Sequence, residues 1–168
     1  MTKEQRFMVL VDELIALGAN MGINDVFSSN KMAECVMAIR LGHSIVPSCQ
    51  GYDALDGDGS PVEYKQSKRS RFQYNIYSRF DNWDLQLEAI DKQMLGVDYH
   101  YFGTLNWEKT SPVEVIYKVK SSVLYDFMLP RLRKSWDDQM NPDTNLTDRK
   151  IRACVSKKWL KENGEVVS

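Results

Sequence analysis

Apolar residues recur at two spacings along the chain, and the change of spacing divides it. Between residues 4 and 17, Val11, Leu14 and Ile15 fall on one face of a helix, and Gly18 and Asn20 stop it. Ser28, Ser29 and Asn30 are all good N-cap types. Met32, Cys35, Val36 and Ile39 then repeat at helical spacing as far as Leu41, and Gly42 ends this second helix. Residues 43–55 read as extended chain, interrupted by Pro47 and Gly51. Asp56-Gly57-Asp58-Gly59-Ser60-Pro61 is a dense turn signal, and residues 62–65 follow it as a strand. Leu87, Ile90 and Met94 predict a helix over 84–95. Residues 99–105 and 113–119 read as two strands joined by a loop of turn formers. Ser121 or Ser122 caps a further helix with Leu124, Phe127 and Met128 inward, which Pro130 is expected to end or kink. Residues 141–143 read as loop, and Asn163-Gly164 as a tight turn. The order predicts a single α/β (α+β) domain, a central mixed β-sheet flanked by helices.

Composition agrees with one packed domain. The chain has 168 residues, 43% of them apolar, enough for a core of ordinary size. No apolar run approaches the roughly 18–20 residues that span a bilayer. The first residues lack the apolar segment and cleavage site of a secretion signal, so an intracellular protein is expected. Cys35, Cys49 and Cys154 show neither disulfide nor metal spacing and are expected to be small, buried or half-buried residues.

Net charge is −1, which announces no partner, but the charges are segregated. From Tyr64 to Phe80 there is no acid, while Lys65, Lys68, Arg69, Arg71 and Arg79 are present. Arg131, Arg133 and Lys134 form a second basic group, and Arg149, Lys150, Arg152, Lys157, Lys158 and Lys161 a third. A near-neutral protein patterned this way can bind DNA on one face. A single run of this kind can equally be a solvated surface.

The residues that bear on chemistry are Asp53 and, after nine intervening residues, Glu63-Tyr64-Lys65. Glu63 and Lys65 are two apart on a strand, so they project to the same face. The turn before them lets Asp53 return alongside. Two carboxylates and an ammonium around one point suit phosphodiester hydrolysis. The acids hold Mg²⁺, which prefers oxygen ligands. The metal stabilises phosphate charge and lowers the pKa of a bound water, and Lys65 orients that water. The Tyr64 carbonyl is a further oxygen open to the metal. The pattern is short, and a solvated hairpin with surface ion pairs would look the same. Two details favour a site: Glu34 lies on the preceding helix, and the acid-free basic stretch starts at the motif. An EF-hand loop opening at Asp56 is excluded, because its sixth position is Pro61 and its twelfth Ser67. His43 and His100 have no metal spacing. Tyr74, Tyr77, Phe80 and Trp83 could stack on bases, with packing the more ordinary role for such rings.

Several stretches, in order along the chain, resemble type II restriction endonucleases of the PD-(D/E)xK superfamily. They are Gly22-Ile23-Asn24-Asp25-Val26-Phe27, Gly51-Tyr52-Asp53-Ala54-Leu55-Asp56, the Glu63-x-Lys65 spacing, Val113-Glu114-Val115-Ile116-Tyr117-Lys118 and Arg131-Leu132-Arg133-Lys134-Ser135-Trp136. The resemblance implies a restriction-endonuclease-like fold of the blunt-cutting branch. It implies a homodimer cutting both strands of a short palindromic DNA site and leaving 5′-phosphate ends, within the cytoplasm of a prokaryotic cell carrying a restriction-modification system. Residues 1–45 would be a helical dimerisation region, 46–120 the catalytic sheet, and 121–168 the DNA-recognition and closing elements. Asp53, Glu63 and Lys65 would be catalytic, with Asp53, Glu63 and Tyr64 at the metal. Asp25, Lys68, Arg69, Arg71, Ser78, Arg79, Asn141 and Asn145 would contact DNA. The chain departs from the pattern in three places. The stretch 76–80 has no histidine where the family reads bases, Gln50 replaces an acid before the metal aspartate, and an active-centre tyrosine has no match in 84–93. Other readings of the same residues are a repair or junction-resolving nuclease, and a non-catalytic DNA-binding module.

Overall fold

The computed structural model describes residues 1–47, 51–76, 79–141 and 150–168. The architecture is α+β, with a mixed central sheet. Helix α1 (Lys3–Asn20) starts in a capping box, in which Thr2 and Gln5 satisfy each other's backbone amides. Helix α2 (Ser29–Leu41) ends at Gly42, whose φ of 70° is the left-handed cap that glycine adopts without penalty. Ser28 occupies the N-cap position but makes no side-chain cap bond. Two short strands, β1 (Ser44–Ile45) and β2 (Ala54–Leu55), lead to β3 (Pro61–Ser67). The turn between β2 and β3 is shaped by Asp56, whose Oδ1 accepts from the amides of Asp58 and Ser60.

After β4 (Arg71–Ile76), helix α3 (Trp83–Leu95) begins where Asn82 Oδ1 accepts from the amides of Asp84 and Leu85. The antiparallel pair β5 (Tyr99–Leu105) and β6 (Val113–Lys120) runs directly into α4 (Ser121–Met140). The chain closes with β7 (Ile151–Ser156), α5 (Lys157–Asn163) and β8 (Glu165–Val166). The main sheet has the order β1-β2-β3-β5-β6-β8, and β4 pairs with β7 in a separate antiparallel ribbon. Among the described strands only β3 and β5 run parallel, joined by a crossover that contains β4 and α3.

The two faces of the main sheet are covered differently. Ala33, Met37 and Ala38 of α2 pack on Val62, Tyr64 and Tyr101. Gly103 lets that helix approach, since a Cβ there would stand 2.5 Å from Met37 Sδ. On the other face Phe102 and Val119 meet α3, α4 and the ribbon through Ile90, Met128, Phe72 and Tyr74. Side chains alternate along β3, so Val62 and Tyr64 lie under α2 while Glu63 and Lys65 face the ribbon.

Three expectations need correction. Pro130 does not end α4, which continues through it to Met140. Pro130 is exposed, so a carbonyl left without its amide partner can be hydrated, and the Arg131 guanidinium bonds the Phe127 carbonyl one turn back. Cys154 is exposed on the outer face of β7, not buried; Cys35 is half-buried, and Cys49 lies outside the described residues. The apolar spacing predicts no strand at β4 or β7, yet the first basic stretch supplies Arg71 to β4 and the third supplies Arg152 to β7, while Arg131, Arg133 and Lys134 lie on α4. No helix among the described residues is long and apolar enough to cross a membrane.

Candidate active site

The polar face of β3 opens beside the start of β2. Because β2 begins only at Ala54, opposite Val62, the edge of β3 next to it has no strand neighbour at Tyr64. The Asp53 side chain takes that place: Oδ2 accepts from the Tyr64 amide at 2.7 Å. A strand residue directs its amide and carbonyl to the same edge, so the Tyr64 carbonyl leaves β3 on the side where Asp53 stands.

Glu63 and Lys65 form an ion pair on the ribbon-facing side, with side chains 16% and 19% exposed. Burial pushes the Glu63 carboxyl up to about 7, and the Asp53 charge adds to the rise while Lys65 opposes it. The Lys65 ammonium also stands 5.0 Å from the centre of the Tyr74 ring. Two acids and a cation are therefore held at one place by three different means.

Helix α2 brings Glu34, which the sequence already associates with the motif, and adds Asn30, which the sequence gives only as an N-cap type. Asn30 and Glu34 line a cleft of about 270 Å³ together with Asp53, Tyr64, Lys65, Gln66, Gln73 and Asn75. Glu34 pairs with Lys31 at 2.6 Å. Burial raises its carboxyl above the usual range, and the nearby Asp53 charge adds to that. Gln73 and Asn75 come from β4, which forms the far wall. Asn75 Oδ1 is buried and has no hydrogen-bond partner among the described residues. The alternation Arg71-Phe72-Gln73-Tyr74-Asn75-Ile76 is a clear strand signal that would have placed Gln73 and Asn75 on one face.

Behind the ion pair lies a buried polar chain. Tyr74 Oη and His100 Nε2 are 2.9 Å apart, and His100 Nδ1 and Ser121 Oγ are 3.0 Å apart. Burial pulls the His100 pKa down to about 3, and the Lys65 charge acts in the same direction, so the imidazole is neutral. His43, by contrast, bonds the Tyr64 hydroxyl at 2.8 Å.

Among the described residues, no three His, Cys, Asp or Glu side chains converge closely enough to enclose a metal ion. The oxygen set is a carboxylate pair with a backbone carbonyl beside it. That donor chemistry fits Mg²⁺, which is bound through one or two carboxylates with water and substrate oxygens completing its shell. It does not fit a soft metal or a closed structural site.

The remaining expected contact residues are dispersed. Lys68 and Arg69 are exposed on the turn between β3 and β4, and Arg71 is exposed at the start of β4. Arg79 reaches Asp81 at 3.4 Å. Asp25 is absorbed by its own turn, where Oδ1 accepts from the amides of Phe27 and Ser28. Asn141 is exposed at the end of α4. Ser78 and Asn145 lie outside the described residues, as do Tyr77 and Gln50. Tyr74 is a core ring, and Trp83 packs on Trp136 at 5.4 Å between centres, so neither is a free stacking platform.

No protein-family model matches this chain, and no curated protein matches it.

Proposed function

We propose that this protein is a Mg²⁺-dependent endodeoxyribonuclease of the type II restriction kind, with a restriction-endonuclease-like fold, that cuts both strands of a short palindromic duplex site as a homodimer. The observation that carries the reading is the meeting of Asp53, Glu63 and Lys65 at the edge where β2 begins. Few structural reasons exist to bury a carboxyl of raised pKa beside a second acid, and pairing costs that are not recovered by packing point to function.

Asp53, Glu63 and the Tyr64 carbonyl would hold the ion. When bound, Mg²⁺ supplies charge stabilisation at the phosphate and a more acidic water. The Asp53 carboxylate keeps Oδ2 on the Tyr64 amide, which fixes its orientation and leaves Oδ1 turned to the cleft. Lys65, anchored by Glu63, donates a hydrogen bond toward an attacking water and neutralises charge that develops on the phosphate. The water oxygen forms the new P–O bond, the bond to the 3′ oxygen breaks, and that oxygen takes up a proton. The products are a 5′-phosphate and a 3′-hydroxyl.

The β4–β7 ribbon is suited to DNA, because a two-stranded ribbon fits a major groove. Its outer face carries Arg71, Gln73, Asn75 and Arg152. Gln and Asn amides can pair with adenine, and Arg with guanine or phosphate. Arg79, Lys68 and Arg69 extend the basic surface. Asp25, Ser78, Asn141 and Asn145 are assigned to DNA by resemblance. Dimerisation through the N-terminal region is supported by α1, which exposes Phe7, Met8, Leu10 and Leu17.

The test is incubation of unmethylated duplex DNA of known sequence with and without Mg²⁺, followed by sequencing of the ends. Discrete Mg²⁺-dependent fragments sharing a palindrome at their ends are expected. A smear would mean a non-specific nuclease, and cutting confined to branched DNA would mean a resolvase. Intact DNA of every form would overturn the catalytic reading.

A further inference from the structure

Tyr74, His100 and Ser121 are 0%, 0% and 4% exposed, polar groups inside an apolar layer. Burying them costs free energy unless each finds a partner, and here they find each other. The chain they form has direction. At one end, the Ser121 amide donates to the Asp98 carbonyl at 3.0 Å, at the first turn of α4. At the other, the face of the Tyr74 ring is presented to the Lys65 ammonium, within the range of a cation–π contact. His100 sits between them on β5, directly beside Glu63 in the parallel register. An apolar trio would fill the same space without polar cost, so packing does not account for these three side chains.

We infer that Ser121, His100 and Tyr74 form a buried positioning relay that holds the Lys65 ammonium in the cleft. A neutral imidazole carries one proton, and that proton lies on Nδ1 and is donated to Ser121 Oγ. Nε2 is then free to accept from the Tyr74 hydroxyl. A phenol that donates keeps its ring electron-rich, which strengthens its attraction for the ammonium. Because the imidazole is uncharged, no second cation stands behind Lys65 to repel it. The relay pins the ring through β5 and α4, so the ammonium is confined between the Glu63 carboxylate and a fixed aromatic face. These three are positioning residues: none lines the cleft, and each acts on Lys65. Their catalytic consequence rests on the nuclease reading, whereas the contact itself does not.

The test uses the full chain labelled with ¹³C and ¹⁵N at lysine and histidine, with Lys65 assigned through the K65R variant. The ε-methylene protons of Lys65 are expected upfield of all other lysines, displaced by the Tyr74 ring current. The two His100 nitrogen shifts are expected to report a proton on Nδ1. H100L and Y74F should move the Lys65 signals toward the other lysines, and H100Q, which keeps a donor and an acceptor, should restore most of the displacement. S121A tests the far end with little volume change. Single-turnover cleavage is expected to fall roughly tenfold or more in H100L and Y74F, the scale of a small misplacement, with DNA affinity unchanged and H100Q largely recovered. Lys65 signals lying among the other lysines in the native chain, or unmoved in H100L, S121A and Y74F alike, would overturn the relay. Displaced and variant-sensitive Lys65 signals in a chain that cuts no DNA would support the relay and reject the nuclease reading instead.

Discussion

The amide of Tyr64 and the carboxylate of Asp53, eleven residues apart, are joined at 2.7 Å. The bond stands in for a missing rung of the sheet, because β2 is only two residues long and β3 continues past it. It leaves one carboxylate oxygen of Asp53 committed to the backbone and the other available. Loss of the side chain therefore removes both a strand-edge partner and a charge in the cleft, and substitutions can separate the two effects.

Asp53→Ala and Lys65→Ala are each expected to lower the Mg²⁺-dependent cleavage rate by roughly a hundredfold or more, the scale of losing one preorganised electrostatic group. Specific DNA binding, measured without metal by gel shift, should survive. Asp53→Asn keeps an acceptor for the Tyr64 amide, so its stability should match the native chain while its activity does not. Full activity in Asp53→Ala would remove this site from consideration.

Glu63 links stability to pH. Its folded pKa of about 7 lies above the ordinary carboxyl value of 4.5, so the folded state holds the proton more tightly than the unfolded chain. The contribution is fully present below about pH 4.5 and is lost as pH rises through about 7. In metal-free buffer the melting temperature should fall by roughly several degrees between pH 5 and pH 8 on account of this group. Glu63→Gln should flatten that part of the profile. Mg²⁺ should raise the melting temperature more at pH 8 than at pH 5, because protons compete for the same carboxyl. An equal effect of Mg²⁺ at both values would place the ion elsewhere.

Arg79 pairs with an Asp81 side chain that is 82% exposed, so the pair adds little to stability. Arg79→Ala is expected to leave the melting temperature almost unchanged while weakening or relaxing site choice, read by sequencing fragment ends from a DNA library. Unchanged rate and unchanged site choice would make Arg79 a surface residue only.

Helix α1 leaves Phe7 and Leu10 exposed at 65% and 47%. Phe7→Glu and Leu10→Glu together should convert a dimer to a monomer in sedimentation velocity, with the circular dichroism of the folded domain preserved. A native chain that sediments as a monomer at micromolar concentration would overturn the dimer.

Gly103→Val should destabilise the protein by roughly 1–3 kcal/mol through overpacking against Met37. The second substitution Met37→Ala should recover part of the loss, since it removes the atoms that a Cβ would meet. Denaturant titration of the two single variants and the double variant measures the coupling.

Much of the fold was legible. Helices α1, α2 and α3 and the pair β5–β6 follow from apolar spacing and from Gly42 and the turn formers between the strands. In β4, Phe72, Tyr74 and Ile76 alternate with polar neighbours, a strand period overlaid by the basic charge of the same stretch. β7 lies some eighty residues from its partner, and local spacing alone does not reveal such a pairing. Whether Pro130 ends a helix is likewise not a local property: its cost depends on whether the orphaned carbonyl can be hydrated, which depends on exposure.

The sequence by itself determined the local elements and the alternation that puts Glu63 and Lys65 on one face of a strand. Those properties depend only on backbone geometry and neighbouring residues. Tertiary structure decided which groups share the cleft. Glu34 shares the cleft with Asp53 because α2 packs across Gly103, and Tyr74 reaches Lys65 because β4 folds back beside β3 and pairs with β7. The proton affinity of Glu63 and the neutrality of His100 were decided at the same level, since both arise from burial and from charges brought close by elements distant along the chain.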